Sequence, residues 1–108
     1  MALPPLTPEQ RADALKKAAE ARRERAAIKA RLKDSAGRRG EEISKVLKEA
    51  ESNEVVGRLR VAALLEALPG VGKVKAQQIM EEIGISETRR VRGLGANQIS
   101  ALIDRFGR

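Results

Sequence analysis

Apolar positions in the middle of the chain recur with helical spacing on either side of a glycine-rich break. Val61, Leu64, Leu65 and Leu68 fall at i, i+3, i+4 and i+7, which predicts one face of a helix. Pro69 ends it, because proline lacks the amide needed to continue the ladder and disfavours helical backbone in the residue before it. Gly70 and Gly72 follow, with Val71 between them as a buried plug; both glycines can take positive φ and let the amides of a tight turn lie against a ligand. Val74, Ala76, Ile79, Met80 and Ile83 then resume the helical period, predicting a second helix. Upstream, Ile43, Val46, Leu47 and Ala50 share one face of a helix from Glu41 to Glu51. Ser52-Asn53 supplies a stop and the next cap. Val55, Val56 and Leu59 add to the core, and a last helix is expected at about Ala96 to Phe106.

The N-terminal third is patterned differently. After an extended lead-in, Leu3-Pro4-Pro5-Leu6, Thr7 followed by Pro8 and Gln10 fits a helix N-cap with proline at the first helical position. From Pro8 to about Lys33 the residues are mostly Ala, Arg, Lys and Glu, strong helix formers, giving a rod about 39 Å long at 1.5 Å per residue. It has no broad apolar face. A heptad register aligns Ala14, Ala21 and Ile28 in one column and Ala18, Arg25 and Leu32 in the other, a thin seam that a charge interrupts, so stable coiled-coil pairing is not expected. The segment DSAGRRG, residues 34–40, reads as a linker. The expected organisation is all-α without a β-sheet. Residues 1–40 form a basic helical arm and linker, and residues 41–108 a compact helical domain containing the hairpin 68–80. A core of about 70 residues is small, so a bound ligand would raise its stability appreciably.

Charge sharpens this division. The net charge is +7 with a pI near 10.4, which favours a polyanionic partner. Residues 1–40 hold 11 Lys and Arg against 5 Asp and Glu, and residues 41–108 hold 11 against 10, so the excess lies in the arm. With neither cysteine nor histidine, the chain lacks the means for disulfides, thiolate or imidazole metal sites, and Ser-His or Cys-His catalysis. No metal, cofactor or small-molecule substrate is expected. No apolar run approaches a membrane span and the N-terminus lacks the pattern of a signal peptide, so a cytoplasmic location is expected. Phe106 is the sole aromatic residue, which argues against stacking of unpaired bases and leaves duplex backbone contact as the better fit.

Two segments carry candidate chemistry. In the hairpin, the second helix offers unpaired amides and the positive end of its dipole to an anionic oxygen, with Lys73 and Lys75 beside that seat. Gly70, Val71, Gly72, Lys73 and Lys75 are therefore candidate phosphate contacts, against the plainer reading of glycines that serve packing alone. In GISETRRVRG, Arg89, Arg90 and Arg92 form a basic knuckle suited to bidentate phosphate contact or a narrow minor groove, unless Glu81, Glu82, Glu87 or Asp104 neutralises them. Gly93 and Gly95 echo Gly70 and Gly72 at a shift of 23 residues, as Leu102 and Ile103 echo Ile79 and Met80, which suggests either a second phosphate-facing turn or a coincidental cap. On the arm, Arg22, Arg23, Arg25, Lys29, Arg31 and Lys33 are dense enough to reach phosphates, or belong to a solvated charged helix.

Taken together, MALPPLTPEQR at the start, LLEALPGVGKVKAQQIM in the middle and TRRVRGLG near the end resemble the actinobacterial integration host factor family over nearly the whole chain. DSAGRRGEEISKVLKEAE is the least distinctive part. The resemblance implies a helix-two-turn-helix domain, related to one in a ribosomal protein of the small-subunit head, preceded by a long basic helix. It also implies a nucleoid-associated protein that binds duplex DNA with little sequence preference, bends it or alters its topology, and supports chromosome organisation and phage site-specific recombination. By position, Gly70, Val71, Gly72, Lys73 and Lys75 would hold backbone phosphates, and Arg89, Arg90 and Arg92 with Gly93 and Gly95 would make the second contact. The enterobacterial factor of the same name is a β-armed dimer, and this sequence has neither strand-rich segments nor a proline-tipped ribbon.

The expected protein is a monomeric, non-enzymatic binder of double-stranded DNA with minor base readout, in which Asn97 and Gln98 are candidates for contact with base edges and Asn97 is equally suited to cap the last helix. Three rivals stay open at this point. A structured-RNA-binding or ribosome-associated module would use the same fold and charge. A lysine-dependent lyase is a poorer fit because no second domain forms a base pocket. A helical adaptor for a protein partner would use the thin seam of the arm.

Overall fold

Thr7 opens the first helix by a reciprocal cap: its hydroxyl accepts from the Gln10 amide at 3.1 Å while the Gln10 side chain accepts from the Thr7 amide at 3.0 Å. With Pro8 at the first helical position, α1 runs over Pro8–Lys33. The computed structural model describes residues 5–107, so the first two residues of the extended lead-in lie outside the described residues. Five further helices follow: α2 over Arg39–Glu49, α3 over Glu54–Gly57, α4 over Val61–Glu66, α5 over Lys73–Ile83 and α6 over Ala96–Arg105. A 3-10 turn at Val91–Gly93 precedes α6. Among the described residues there is no strand, and the single extended pairing is an isolated antiparallel bridge between Arg60 and Arg90.

Caps set these boundaries. Asn53 accepts from the amides of Val55 and Val56 to start α3, as its position after Ser52 requires. Gly84 closes α5 in the left-handed conformation at φ +86, where a side chain would be strained. Gln98, rather than Asn97, serves the start of α6: its carbonyl oxygen accepts from the Gly95 amide and its amide donates to the Gly84 carbonyl, both at 3.0 Å. Asn97 stays exposed within the first turn.

The core gathers the apolar faces read from the sequence. Ile43, Val46 and Leu47 of α2 meet Val56 and Leu59, then Val61, Leu64, Leu65 and Leu68, then Ala76, Ile79 and Met80, with Leu102 from α6 closing the cluster. The start of α2 packs so closely on α6 and the turn after it that a Cβ at Gly40 would lie 3.3 Å from the Ile103 carbonyl oxygen and 1.5 Å from that of Gly107. Glycine is thus required there by the approach of backbone to backbone.

The core also takes in the end of α1, although the sequence pattern expects the compact unit to begin at residue 41. Ile28 is 5% exposed and Leu32 fully buried, both against α2 and α3. Two apolar residues four apart suffice to dock the end of a helix whose other faces are polar. What remains exposed is the stretch before them, and it sets the outline of the molecule, 49 by 31 by 25 Å. The radius of gyration is 16.0 Å, against about 13 Å for a compact domain of this length.

A charged network fixes the docked end. Arg31 forks onto both oxygens of Glu49, at 3.0 and 2.8 Å, and also donates to Glu42. Glu42 is buried, with Arg38 on its other oxygen at 3.0 Å. Two guanidiniums therefore compensate one carboxylate removed from water, the condition under which burying it is tolerable. The Arg31 hydrogen bond holds the Glu49 carboxyl below its ordinary pKa of 4.5, with burial opposing. A pKa lowered on folding contributes stability that is present above the unfolded-state value and lost as the pH falls through the folded one. Glu49 is partly solvated, so the contribution is below about 1 kcal/mol. Wild type should therefore exceed Glu49→Gln in stability above about pH 5 and converge with it at lower pH. Urea unfolding of both from pH 7 to pH 2 checks this, and a gap independent of pH would contradict it.

Candidate nucleic-acid interface

The hairpin forms as its spacing requires, but its two glycines differ. The Leu68 carbonyl accepts from the Val71 amide at 3.2 Å, and Val71 turns its side chain into the core. Gly70 sits at φ +78, so the turn needs glycine there. Gly72, expected to be free for positive φ, instead has φ −91 and ψ −176 and is the N-cap of α5. Nothing lies within 4 Å of where its Cβ would stand. The turn's interior therefore does not exclude a side chain at Gly72; the space a side chain would fill is outside, in front of the helix.

That space is cationic. The first backbone bond of α5 runs from the Ala76 amide to the Gly72 carbonyl at 2.9 Å, so the amides of Lys73, Val74 and Lys75 stand ahead of it without helical partners. Lys73 and Lys75 are exposed and neither forms an ion pair among the described residues. Val74 between them is 72% exposed. The aliphatic residue at the helix start is thus presented outward with the lysines. Val71 differs from the other candidates here, since its amide is used inside the turn and its side chain is buried.

A residue the motif does not include holds the turn in place. Arg39, at the start of α2, donates to the Pro69 carbonyl at 3.1 Å while its guanidinium lies 5.2 Å from the centre of the Phe106 ring. It couples the hairpin to α2 and to the last turn of the chain. Nothing in the sequence sets Arg39 apart from the ten basic residues before it, because its partners are thirty and sixty-seven positions away.

The arginine segment lies beyond the other end of α5, about 16 Å along the axis of an 11-residue helix. Arg89 donates to the Gly93 carbonyl at 3.1 Å and Arg90 to the Arg58 carbonyl at 2.7 Å. A Cβ at Gly93 would stand 3.0 Å from the Arg89 side chain, so this glycine makes room for an arginine. None of Arg89, Arg90 and Arg92 forms an ion pair with Glu81, Glu82 or Glu87; Glu82 holds Arg105 and Glu87 accepts from Gln77. The three arginines keep their charge uncompensated by those carboxylates. Gly95 repeats Gly72 as an N-cap, and the Ile99 amide bonds its carbonyl at 3.0 Å, as Ala76 does at Gly72. Gly93 does not repeat Gly70, since it ends a 3-10 turn without positive φ. The 23-residue echo is therefore one of helix starts rather than of whole turns.

The structure also brings Lys29 and Lys33 of α1 to an opening shared with Leu68, Pro69 and Gly70, on the hairpin side of the arm. The remaining arm cations face solvent along α1, apart from the half-buried Arg25 and the clamped Arg31. No described helix is long and apolar enough to cross a membrane.

Fold and site define a small helix-two-turn-helix protein with a basic arm and two cationic faces at opposite ends of one helix. Residues 36–106 match the family of S13-like H2TH domains. The integration host factor of Streptomyces coelicolor is 64% identical over 99% of this chain and 96% of its own, and that of Mycobacterium tuberculosis 62% identical over 99% and 98%. The solved structure of sIHF bound to an 8-base-pair palindromic DNA matches at a TM-score of 0.77 and 58% identity, covering 85% of this chain and 99% of that one. The chain belongs to the actinobacterial integration host factor family.

The Arg39 contacts predict a local effect. Arg39→Met should speed hydrogen exchange at the Val71 amide by about tenfold, consistent with loss of a hydrogen bond from a charged donor, while exchange at the buried Ile43 and Val46 changes little. Exchange monitored by NMR decides this, and equal acceleration throughout the core would mean that Arg39 supports the whole fold rather than the turn.

Proposed function

We propose that this protein is a duplex DNA-binding nucleoid protein that holds the backbone through phosphate contacts, with Gly70, Gly72, Lys73 and Lys75 forming one face and Arg89, Arg90 and Arg92 the other. The observation that carries this is the start of α5: three amides without helical partners, two lysines in no ion pair among the described residues, and a bare N-cap with open space before it. A backbone phosphate matches it in charge, acceptor count and size. Support comes from the relative whose solved structure holds DNA. Gly93 and Gly95 act indirectly in this reading, one by seating Arg89 and the other by starting α6.

Two faces separated by the length of α5 allow one molecule to engage phosphates at separated places, which bends a duplex between them or joins two segments. Phosphate contacts carry little sequence information, so binding is sequence-tolerant, as organising a chromosome or assisting recombination requires. The protein acts as a monomer in the cytoplasm, on the nucleoid, without catalysing a reaction. The arm adds phosphate contacts through its exposed cations.

Lys73→Gln should lower the salt slope of duplex DNA binding by roughly 0.9, the share of one phosphate contact. Titrations against DNA and RNA duplexes of matched length in a salt series read this out. Equal binding of RNA, or an unchanged slope, would turn attention to ribosomal or protein partners.

Gly72→Ser separates fold from function. Serine is at least as good an N-cap as glycine and has room at this position, so the unfolding midpoint should hold or rise. Its hydroxymethyl group enters the phosphate seat, so duplex affinity should fall about tenfold, as for loss of a charge-assisted hydrogen bond. Stability and affinity falling together would instead make Gly72 a requirement of the turn.

A further inference from the structure

Leu59 to Val61 and Arg89 to Val91 run antiparallel, joined by the Val61 amide on the Arg89 carbonyl at 3.0 Å and the Val91 amide on the Leu59 carbonyl at 2.8 Å. Both bonds flank the Arg60–Arg90 pair rather than arise from it. In such a non-hydrogen-bonded pair the two side chains leave on one face, with Cβ atoms about 4.5–5.5 Å apart. Like charges placed directly opposite each other destabilise a pairing. The flanking residues Leu59, Val61 and Val91 are buried and the backbone bonds need no particular side chain at Arg60, so the fold itself has no use for a cation at that position.

Neighbouring groups do not compensate the charge of Arg60. Arg58 is paired with Glu54, Arg90 has one donor on the Arg58 carbonyl, and Arg92 lies against Gly57. Arg60 is exposed and joins no carboxylate among the described residues. A tetrahedral anion between the two guanidiniums converts their repulsion into two attractions, with Arg90 already held in place from one side.

We propose that Arg60 and Arg90 form a two-sided cradle for one backbone phosphate of duplex DNA, which makes Arg60, on the connection before α4, a DNA ligand of the arginine face. This rests on the reading of the protein as a duplex binder. Its particular signature is a residue that weakens the free protein and strengthens the complex.

The test compares Arg60→Gln, Arg90→Gln and the double variant with Lys48→Gln, an equal loss of charge at an exposed position of α2, and with Lys73→Gln at the hairpin. Each is titrated with one DNA duplex over a salt series, and unfolding of the free proteins is followed in parallel. Arg60→Gln should bind about tenfold more weakly than Lys48→Gln, as expected for loss of a charged hydrogen bond, with an unfolding midpoint no lower than wild type. The double variant should lose much less than the product of the two single losses, because both residues serve one phosphate. Arg60→Lys should recover the salt slope and only part of the affinity, since it restores the charge without the fork; this also keeps the test decisive if glutamine disturbs the bridge. Binding by Arg60→Gln equal to that of Lys48→Gln, or losses that multiply, overturns the cradle. If Lys73→Gln also has no effect, it is the duplex-binding reading that fails.

Discussion

The long basic helix takes its direction mainly from one guanidinium, with a lesser tie where the Asn53 side-chain amide donates to Glu24 at 3.3 Å. Arg31 reaches from the last turns of α1 to Glu49 and Glu42 on α2, and the buried Ile28 and Leu32 stand on either side of it in the helix. The apolar pair supplies contact but little direction, because hydrophobic burial is insensitive to the angle at which it is made. The fork supplies the direction, since both nitrogens must meet both oxygens at once. A helix with no continuous apolar face thereby leaves the domain at a defined angle, and its cations are strung around one fixed axis instead of an axis that sweeps a cone.

Within the domain, α5 has the corresponding role. Its start carries the amides and lysines of the hairpin, and the connector beyond its end carries the arginines. Both faces belong to one short rigid rod whose inner side, Ala76, Ile79 and Met80, is buried in the core. Their separation is set by helix geometry and changes little unless the core itself rearranges. The hairpin face is held from a further side by Arg39, which ties Pro69 to Phe106.

Much of this was legible in the residues. Periodicity located α2, α4 and α5 because each buries a stripe, α1 was legible from its helix-forming composition, and the caps at Thr7 and Asn53 were legible because capping is local in sequence. What escaped was non-local. Docking of Ile28 and Leu32 looked like part of a thin seam, since two apolar residues in a polar helix give no periodic signal. Glu42 reads as one more surface charge until two arginines are seen around it. At the site, Lys73 and Lys75 announced themselves by following glycines, whereas Arg39 and Arg60 acquire meaning only from partners across the fold. Arg60 had one faint mark, a lone cation between the buried Leu59 and Val61, the alternation of an extended pair within a helical chain. Gly72 was read as free for positive φ but caps α5 at φ −91, and Gly93, read as an echo of Gly70, makes room for the Arg89 side chain without positive φ.

Two arginines of the arginine face are held by backbone carbonyls, Arg89 by Gly93 and Arg90 by Arg58, as Arg39 is by Pro69 behind the hairpin. A carbonyl fixes a guanidinium without cancelling it. Long side chains usually lose rotamer entropy at the moment they grip a partner, at a cost of about 0.5–1.5 kcal/mol each. Here that ordering has already happened during folding, and the positive charge is left intact. In the proposed complex, association begins from Arg89 and Arg90 already in position, so little of the attraction between them and a phosphate is consumed in stilling the residues that provide it.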